Sequence, residues 1–163
     1  MSLTSSFCSL FSIAGFFAFV HQCYISCTGR CCQTNAAPVH HCQDGAVIEL
    51  PVGTFNLQTS LWLDGKNNII IRGKGKDKTI LNFSNQISGA EGIKITNGSN
   101  ITLQNLTVQN TKGDAIKTQY VNGIKFFNVK AEWTRGAHRK NGGYGLYPVQ
   151  CSNVVIDSCE ARG

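Results

Sequence analysis

The chain has 163 residues, room for one domain or one domain behind a leader. Charged residues make up 15%, against about 25% on average, which excludes a charge-rich disordered chain or a coiled coil. It holds 17 Gly and 14 Asn but 3 Pro, a mix that reads as short apolar runs joined by many turns and argues against a helical bundle. The formal net charge of +6 admits an acidic partner without naming one.

The composition breaks sharply along the chain. Residues 1–43 hold six of the eight cysteines and one charge, Arg30, while residues 44–163 hold the other 14 basic residues and all 9 acidic ones. Residues 7–20, FCSLFSIAGFFAFV, match the size of a secretory apolar region and fall short of a membrane span of about 20 residues. The preceding MSLTSS lacks Lys and Arg. Three readings of this segment stand: an export signal, an uncleaved membrane anchor, or sequence that is not the native start. Cys23, Cys27, Cys31, Cys32 and Cys42 with His21, His40 and His41 are of metal-ligand type. They lack a repeated C-x2-C pair, so zinc, disulfides and inert thiols all stay open.

Residues 46–50 and 51–55 read as strand, turn and strand after the turn signal Asp44-Gly45. Beyond them the chain repeats. GIKITNGSNITLQNLTVQ from Gly92, AIKTQYVNGIKFFNVKAE from Ala115 and GLYPVQCSNVVIDSCEAR from Gly145 align without a gap. SLWLDGKNNIIIRG from Ser60 matches their first 14 positions, and the units start 32, 23 and 30 residues apart. A constant core with unequal spacing means loops of different length inserted at one place in each turn. Apolar residues recur at the second position (Leu61, Ile93, Ile116, Leu146), the tenth (Ile69, Ile101, Ile124, Val154) and the twelfth (Ile71, Leu103, Phe126, Ile156). Spacing by two is the strand period, so each unit reads as strand, short turn and strand.

The ninth position is Asn68, Asn100, Gly123 and Asn153, residue types that tolerate a left-handed backbone. Stacked copies predict an asparagine ladder that Gly123 interrupts. Cys159 falls where Leu106 and Val129 sit in other units, which predicts a small core residue. Cys151 falls in the turn. The fold expected is all-β: a right-handed, single-stranded parallel β-helix of about four to five coils over residues 44–163.

The stretches DGAVIELPVGTFNL (44–57), IRGKGKDKTILNF (71–83), NTKGDAIK (110–117) and NGGYGLYPVQCSNVVI (141–156) resemble right-handed parallel β-helix repeat proteins of the pectate-lyase-like superfamily. The nearest likeness is to exported bacterial ones. The resemblance implies a fold shared with polysaccharide lyases, pectinases and alginate C5-epimerases, and a calcium ion as the only cofactor it suggests. Such solenoids usually begin with an amphipathic capping helix, which residues 33–41 with Pro38 do not resemble. They also run for further coils, so the expectation is an incomplete β-helix with a damaged N-terminus.

The third position of each unit, Trp62, Lys94, Lys117 and Tyr147, lies between inward neighbours and is expected to point outward. Aromatic faces pack on sugar rings and ammonium groups pair with uronate carboxylates, so this stripe is the expected substrate-binding surface for an acidic polysaccharide. Two insertions, 74–91 and 133–144, are the expected functional loops. Uronate chemistry needs a base for the C5 proton and a cation for the carboxylate. Lys117 or His138 would be the base, Arg135 or Arg139 the clamp, and Asp114 would orient a lysine or bind a metal. No nucleophile elbow, zinc-protease motif, Walker loop or calcium-binding repeat occurs. The four N-x-[ST] sequons at Asn82, Asn97, Asn100 and Asn105 are what an Asn/Thr-rich β-helix produces by composition.

Two functions follow as expectations. One is an exported, periplasmic or envelope protein that binds acidic polysaccharide without chemistry of its own, metal or other cofactor. The other is a polysaccharide lyase or uronan C5-epimerase with catalytic coils partly beyond residue 163. Nucleic acid is not an expected partner, because basic residues are scattered among acidic ones. Membrane contact would come only through an uncleaved N-terminal segment.

Overall fold

The structure, a computed structural model, describes residues 42–163 and the backbone of 26–28. The leader readings and the ligand or disulfide readings of His21, Cys23, Cys27, Cys31, Cys32, His40 and His41 lie outside the described residues and side chains. Strand β1 (Ser26–Thr28) pairs antiparallel with β2 (Val47–Glu49); every other strand pairing among the described residues is parallel. No helix occurs among the described residues.

The solenoid has three walls. The front wall stacks β4 (Thr59–Asp64), β7 (Ser88–Thr96), β9 (Ile116–Gln119) and β11 (Leu146–Val149). The second wall is β2, β5 (Ile70–Arg72), the first half of β8 (Ser99–Gln109), the first half of β10 (Asn122–Glu132) and β12 (Ser152–Asp157). The third is β3 (Gly53–Asn56), β6 (Thr79–Asn82), the second halves of β8 and β10, and β13 (Glu160–Arg162). In the Gly92 and Ala115 repeats the second strand therefore bends and serves two walls. The bend is a single left-handed residue, Asn105 at φ 58° and Asn128 at φ 51°.

The repeat register holds at the core. Leu61 lies opposite Ile93, Ile93 opposite Ile116 and Ile116 opposite Leu146. Ile71, Leu103, Phe126 and Ile156 form a second inward column. Leu61, Ile93, Ile116, Ile71, Leu103 and Phe126 are buried, and each such side chain stabilises the fold by about 1.5–3 kcal/mol relative to exposure. Val154 and Ile156 of β12 are exposed because no strand lies on their far side among the described residues. Cys159 packs partly buried against the core at the corner after β12, and Cys151 does so at the corner before it.

The corners use the expected chemistry. Asn68, Asn100 and Asn153 have φ of 58°, 52° and 52°, and Gly123 has 80°. Asn100 Nδ2 donates to Asn68 Oδ1 at 3.1 Å. At Gly123 the ladder stops, and Asn153 donates to Asn122 Oδ1 instead, at 2.7 Å.

The insertion at 74–91 is not a loop throughout. Residues 79–82 form β6, wedged between β3 and β8 in the third wall. Residues 74–78 bulge, as does β7 between Ser88 and Ile93, and 74–78 lies as a strap over later coils: Thr107 Oγ1 donates to the Lys76 carbonyl, Asp77 faces Lys130 at 3.7 Å, and Lys76 pairs with Glu160. The second insertion also starts later than its sequence suggests. Trp133 is buried and its Nε1 donates to the Thr111 carbonyl at 2.9 Å.

Candidate functional site

Strand alternation sends every second side chain of the front wall outward. Register then decides whether outward residues of different coils meet. Trp62 lies opposite Lys94, Lys94 opposite Lys117, and Lys117 opposite Tyr147. The four stripe residues thus form one column across four rungs, about 4.8 Å apart per rung. Trp62 is 45% exposed and its Nε1 donates to Thr96 Oγ1 at 3.2 Å, which fixes the indole against the sheet.

A second outward column runs beside it: Asp64, Thr96, Gln119 and Val149. Asp64 accepts from the Thr96 hydroxyl and from Asn97 Nδ2 at 2.8 Å. These two donors, the hydroxyl first, hold its carboxyl below the ordinary value of 3.8. Asp64 is therefore ionised and occupied at neutral pH.

Two residues that sequence reasoning did not single out complete the column. Tyr144 stacks on Tyr147 with ring centroids 4.2 Å apart and planes 17° from parallel, and it is 54% exposed. Lys117 Nζ lies 5.7 Å from the Tyr147 ring centroid, a cation–π distance. Glu91 Oε1 lies 3.9 Å from Lys94 Nζ. Both additions stand three residues before a stripe residue, where the chain enters the front wall. That constant offset was the signal available in the sequence.

The remaining candidates are placed less closely together. Asp114 is half-buried at the entrance to β9, and an ideal Cβ on Gly143 would sit 3.8 Å from its Oδ1. Arg135, His138 and Arg139 are exposed in the loop after Trp133. His138 Nδ1 accepts from the Lys140 backbone amide at 3.1 Å. His138 also lines a shallow depression of about 370 Å³ with Trp133, Asn141 and Arg162; Lys117 and Asp114 are not part of its wall. Asn141 Oδ1 is buried there without a hydrogen-bond partner. Of the base, clamp and orienting candidates, His138 alone lines this depression. No three metal-ligating side chains gather among the described residues.

The column can do two things chemically. Its aromatic faces, Trp62 at one end and the Tyr144–Tyr147 pair at the other, suit the apolar faces of sugar rings. Its ammonium groups suit carboxylates.

A crystal structure from Parabacteroides merdae ATCC 43184, described as a putative glycosyl hydrolase, shares 13% identity with this chain. It covers 71% of this chain and 78% of its own, with a TM-score of 0.41. No curated protein matches. The family profile described as "Right handed beta helix region" matches residues 52–163. With most of its length inside that match and its walls stacked in parallel register, the chain belongs to the right-handed β-helix family.

Proposed function

We propose that the front wall binds an acidic polysaccharide laid along the solenoid axis. The observation that carries this reading is the in-register column Trp62–Lys94–Lys117–Tyr147. A rung spacing of about 4.8 Å is comparable to the length of one pyranose, so successive side chains address successive sugars. Trp62 and Tyr147 supply ring platforms, and the lysines between them supply charge. Such a ligand goes with an exported or envelope-associated protein, which cell fractionation tests.

The binding test is affinity electrophoresis in gels containing pectate, alginate or a neutral galactan. Retardation is expected in the two acidic gels and not in the galactan. The double variant Lys94→Ala/Lys117→Ala is expected to migrate freely in all three. Equal retardation in galactan would refute the role of charge.

A second reading draws on Lys117, an ammonium beside an aromatic pair with Asp114 at the same coil entrance. A lyase or C5-epimerase would use it on the uronate C5 proton. Ultraviolet absorbance of unsaturated uronate, or proton exchange at C5 in deuterated water, would favour this reading over simple binding.

A further inference from the structure

The two lysines of the column differ electrostatically. Lys94 faces Glu91, whose side chain is 16% exposed. The Glu91 backbone is anchored as well: its carbonyl accepts from Ser60 Oγ and from Gln86 Nε2 at 2.9 Å. Gln86 is itself buried. Among the described residues, Lys117 pairs with no carboxylate. Asp114 precedes Lys117 by three residues just as Glu91 precedes Lys94, but its side chain is one methylene shorter and makes no ion pair among the described residues. What Lys117 has instead is the Tyr147 ring, which attracts the cation without neutralising it.

Like charges directly opposite on adjacent strands are unfavourable. Glu91 offsets that repulsion between Lys94 and Lys117 by pairing with Lys94. It also changes what the column recognises. A ligand carboxylate arriving at Lys94 must displace or tolerate Glu91; one arriving at Lys117 meets an unshared ammonium and a tyrosine platform.

We infer that the column holds a single uronate subsite, at Lys117 against Tyr147 and Tyr144, and that Glu91 is a specificity-determining residue that closes Lys94 to a second acid. This rests on the acidic-glycan reading and narrows it. The ligand class is a heteropolysaccharide whose acidic sugars are separated by neutral ones, rather than a homopolyuronate with a carboxylate on every sugar. Adjacent rungs would then meet an acidic sugar at Lys117 and a neutral sugar at Lys94.

The test is calorimetric titration with two probes: a hyaluronan tetrasaccharide, in which uronate alternates with a neutral sugar, and a tetragalacturonate. Wild type is expected to prefer the alternating probe. Lys117→Ala is expected to weaken both by about tenfold, the scale of a hydrogen bond to a charged group. Lys94→Ala leaves Glu91 unpaired one rung away and is expected to weaken the alternating probe by about threefold, less than Lys117→Ala does. Glu91→Gln should raise tetragalacturonate affinity by about threefold and leave the alternating probe unchanged, a selectivity shift that a purely structural role would not produce. Asp114→Glu, which places a carboxylate on Lys117, should weaken both probes. Two results would overturn the inference while leaving acidic-glycan binding in place: Lys94→Ala costing as much as Lys117→Ala, or Glu91→Gln leaving the ratio of the two probes unmoved. Binding of neither probe by wild type would overturn the acidic-glycan reading together with it.

Discussion

Asn110 Nδ2 donates to Asn82 Oδ1 at 3.0 Å, one rung above the bond from Asn82 Nδ2 to Asn56 Oδ1 at 2.8 Å. Asn110 Oδ1 in turn accepts from the backbone amide and hydroxyl of Thr134, at 2.9 and 3.0 Å. Four consecutive rungs are thus tied at one corner by side-chain amides. Removing a middle member breaks the bonds on both sides. Asn82→Ala is expected to lower stability by about 1–3 kcal/mol, the net worth of its bonds with Asn56, Asn110 and the Ser84 amide at a half-buried site. Urea denaturation followed by far-ultraviolet circular dichroism measures this, and an unchanged midpoint would refute it.

The ladder at the opposite corner offers the reverse experiment. Gly123 has φ 80°, and a Cβ there would lie 2.9 Å from Asn100 Oδ1, the mobile end of an amide side chain. Asparagine tolerates this backbone region better than other side chains do, and Asn100 can rotate away from the contact. Gly123→Asn therefore places an amide between Asn100 and Asn153. It is expected to cost less than about 1 kcal/mol, because this left-handed backbone strains any side chain and asparagine least. Gly123→Val, which has the same backbone problem and no amide, should cost more. The melting temperature of the valine variant should lie below that of the asparagine variant.

How much of this was written in the chain can be judged residue by residue. The inward columns through Leu61 and Ile71 were legible because burial on one face imposes strict spacing by two. The Trp62–Lys94–Lys117–Tyr147 column followed from the same register. β6 was hidden because the strap at 74–78 shifts Thr79–Asn82 out of alignment with the other repeats. Trp133 looked like a loop residue from its neighbours Thr134 and Arg135, yet a large apolar side chain at the coil edge is better placed under it. The bend at Asn105 and Asn128 was readable as aligned asparagines, but position alone does not say that a strand creases there. Glu91 and Tyr144 each stand three residues before a stripe residue, but that offset alone does not say that their side chains meet Lys94 and Tyr147.

Trp133 provides a third test. Its ring lies at the base of the loop that delivers Tyr144 to the front wall, and its Nε1 satisfies the buried Thr111 carbonyl. Trp133→Phe keeps much of the apolar contact and removes the donor. An unsatisfied buried carbonyl costs about 1–3 kcal/mol, so a loss in that range is expected. Trp133→Ala adds a cavity and should cost about 3–5 kcal/mol. If the two variants proved equally stable, the hydrogen bond and the packing would both have been misjudged.

The carboxylates of the outer walls set the response to acid. Glu49 accepts from Arg72 and from Lys74 at 3.0 Å, and Glu160 pairs with Lys76 and with Arg162 at 2.9 Å. The hydrogen bond from Arg72, then that from Lys74, holds Glu49 below the ordinary value of 4.5; the Lys76 ammonium does the same for Glu160. Asn67 lowers Asp44, and Thr96 with Asn97 lowers Asp64, both from 3.8. All four shifts have one sign. A depressed folded-state value means the unfolded chain binds protons first, so the stabilisation is complete above 4.5 and is lost as pH falls through the lower folded-state values. Stability should therefore be flat in these groups at neutral pH and decline only below about pH 4.5, the ordinary glutamate value. Glu49→Gln isolates one contribution: it should be less stable than wild type at neutral pH, with the two curves converging in acid once Glu49 is protonated. Denaturation midpoints measured across that range at low and high salt test this, and parallel curves at every pH would show that Glu49 gains nothing from Arg72 and Lys74.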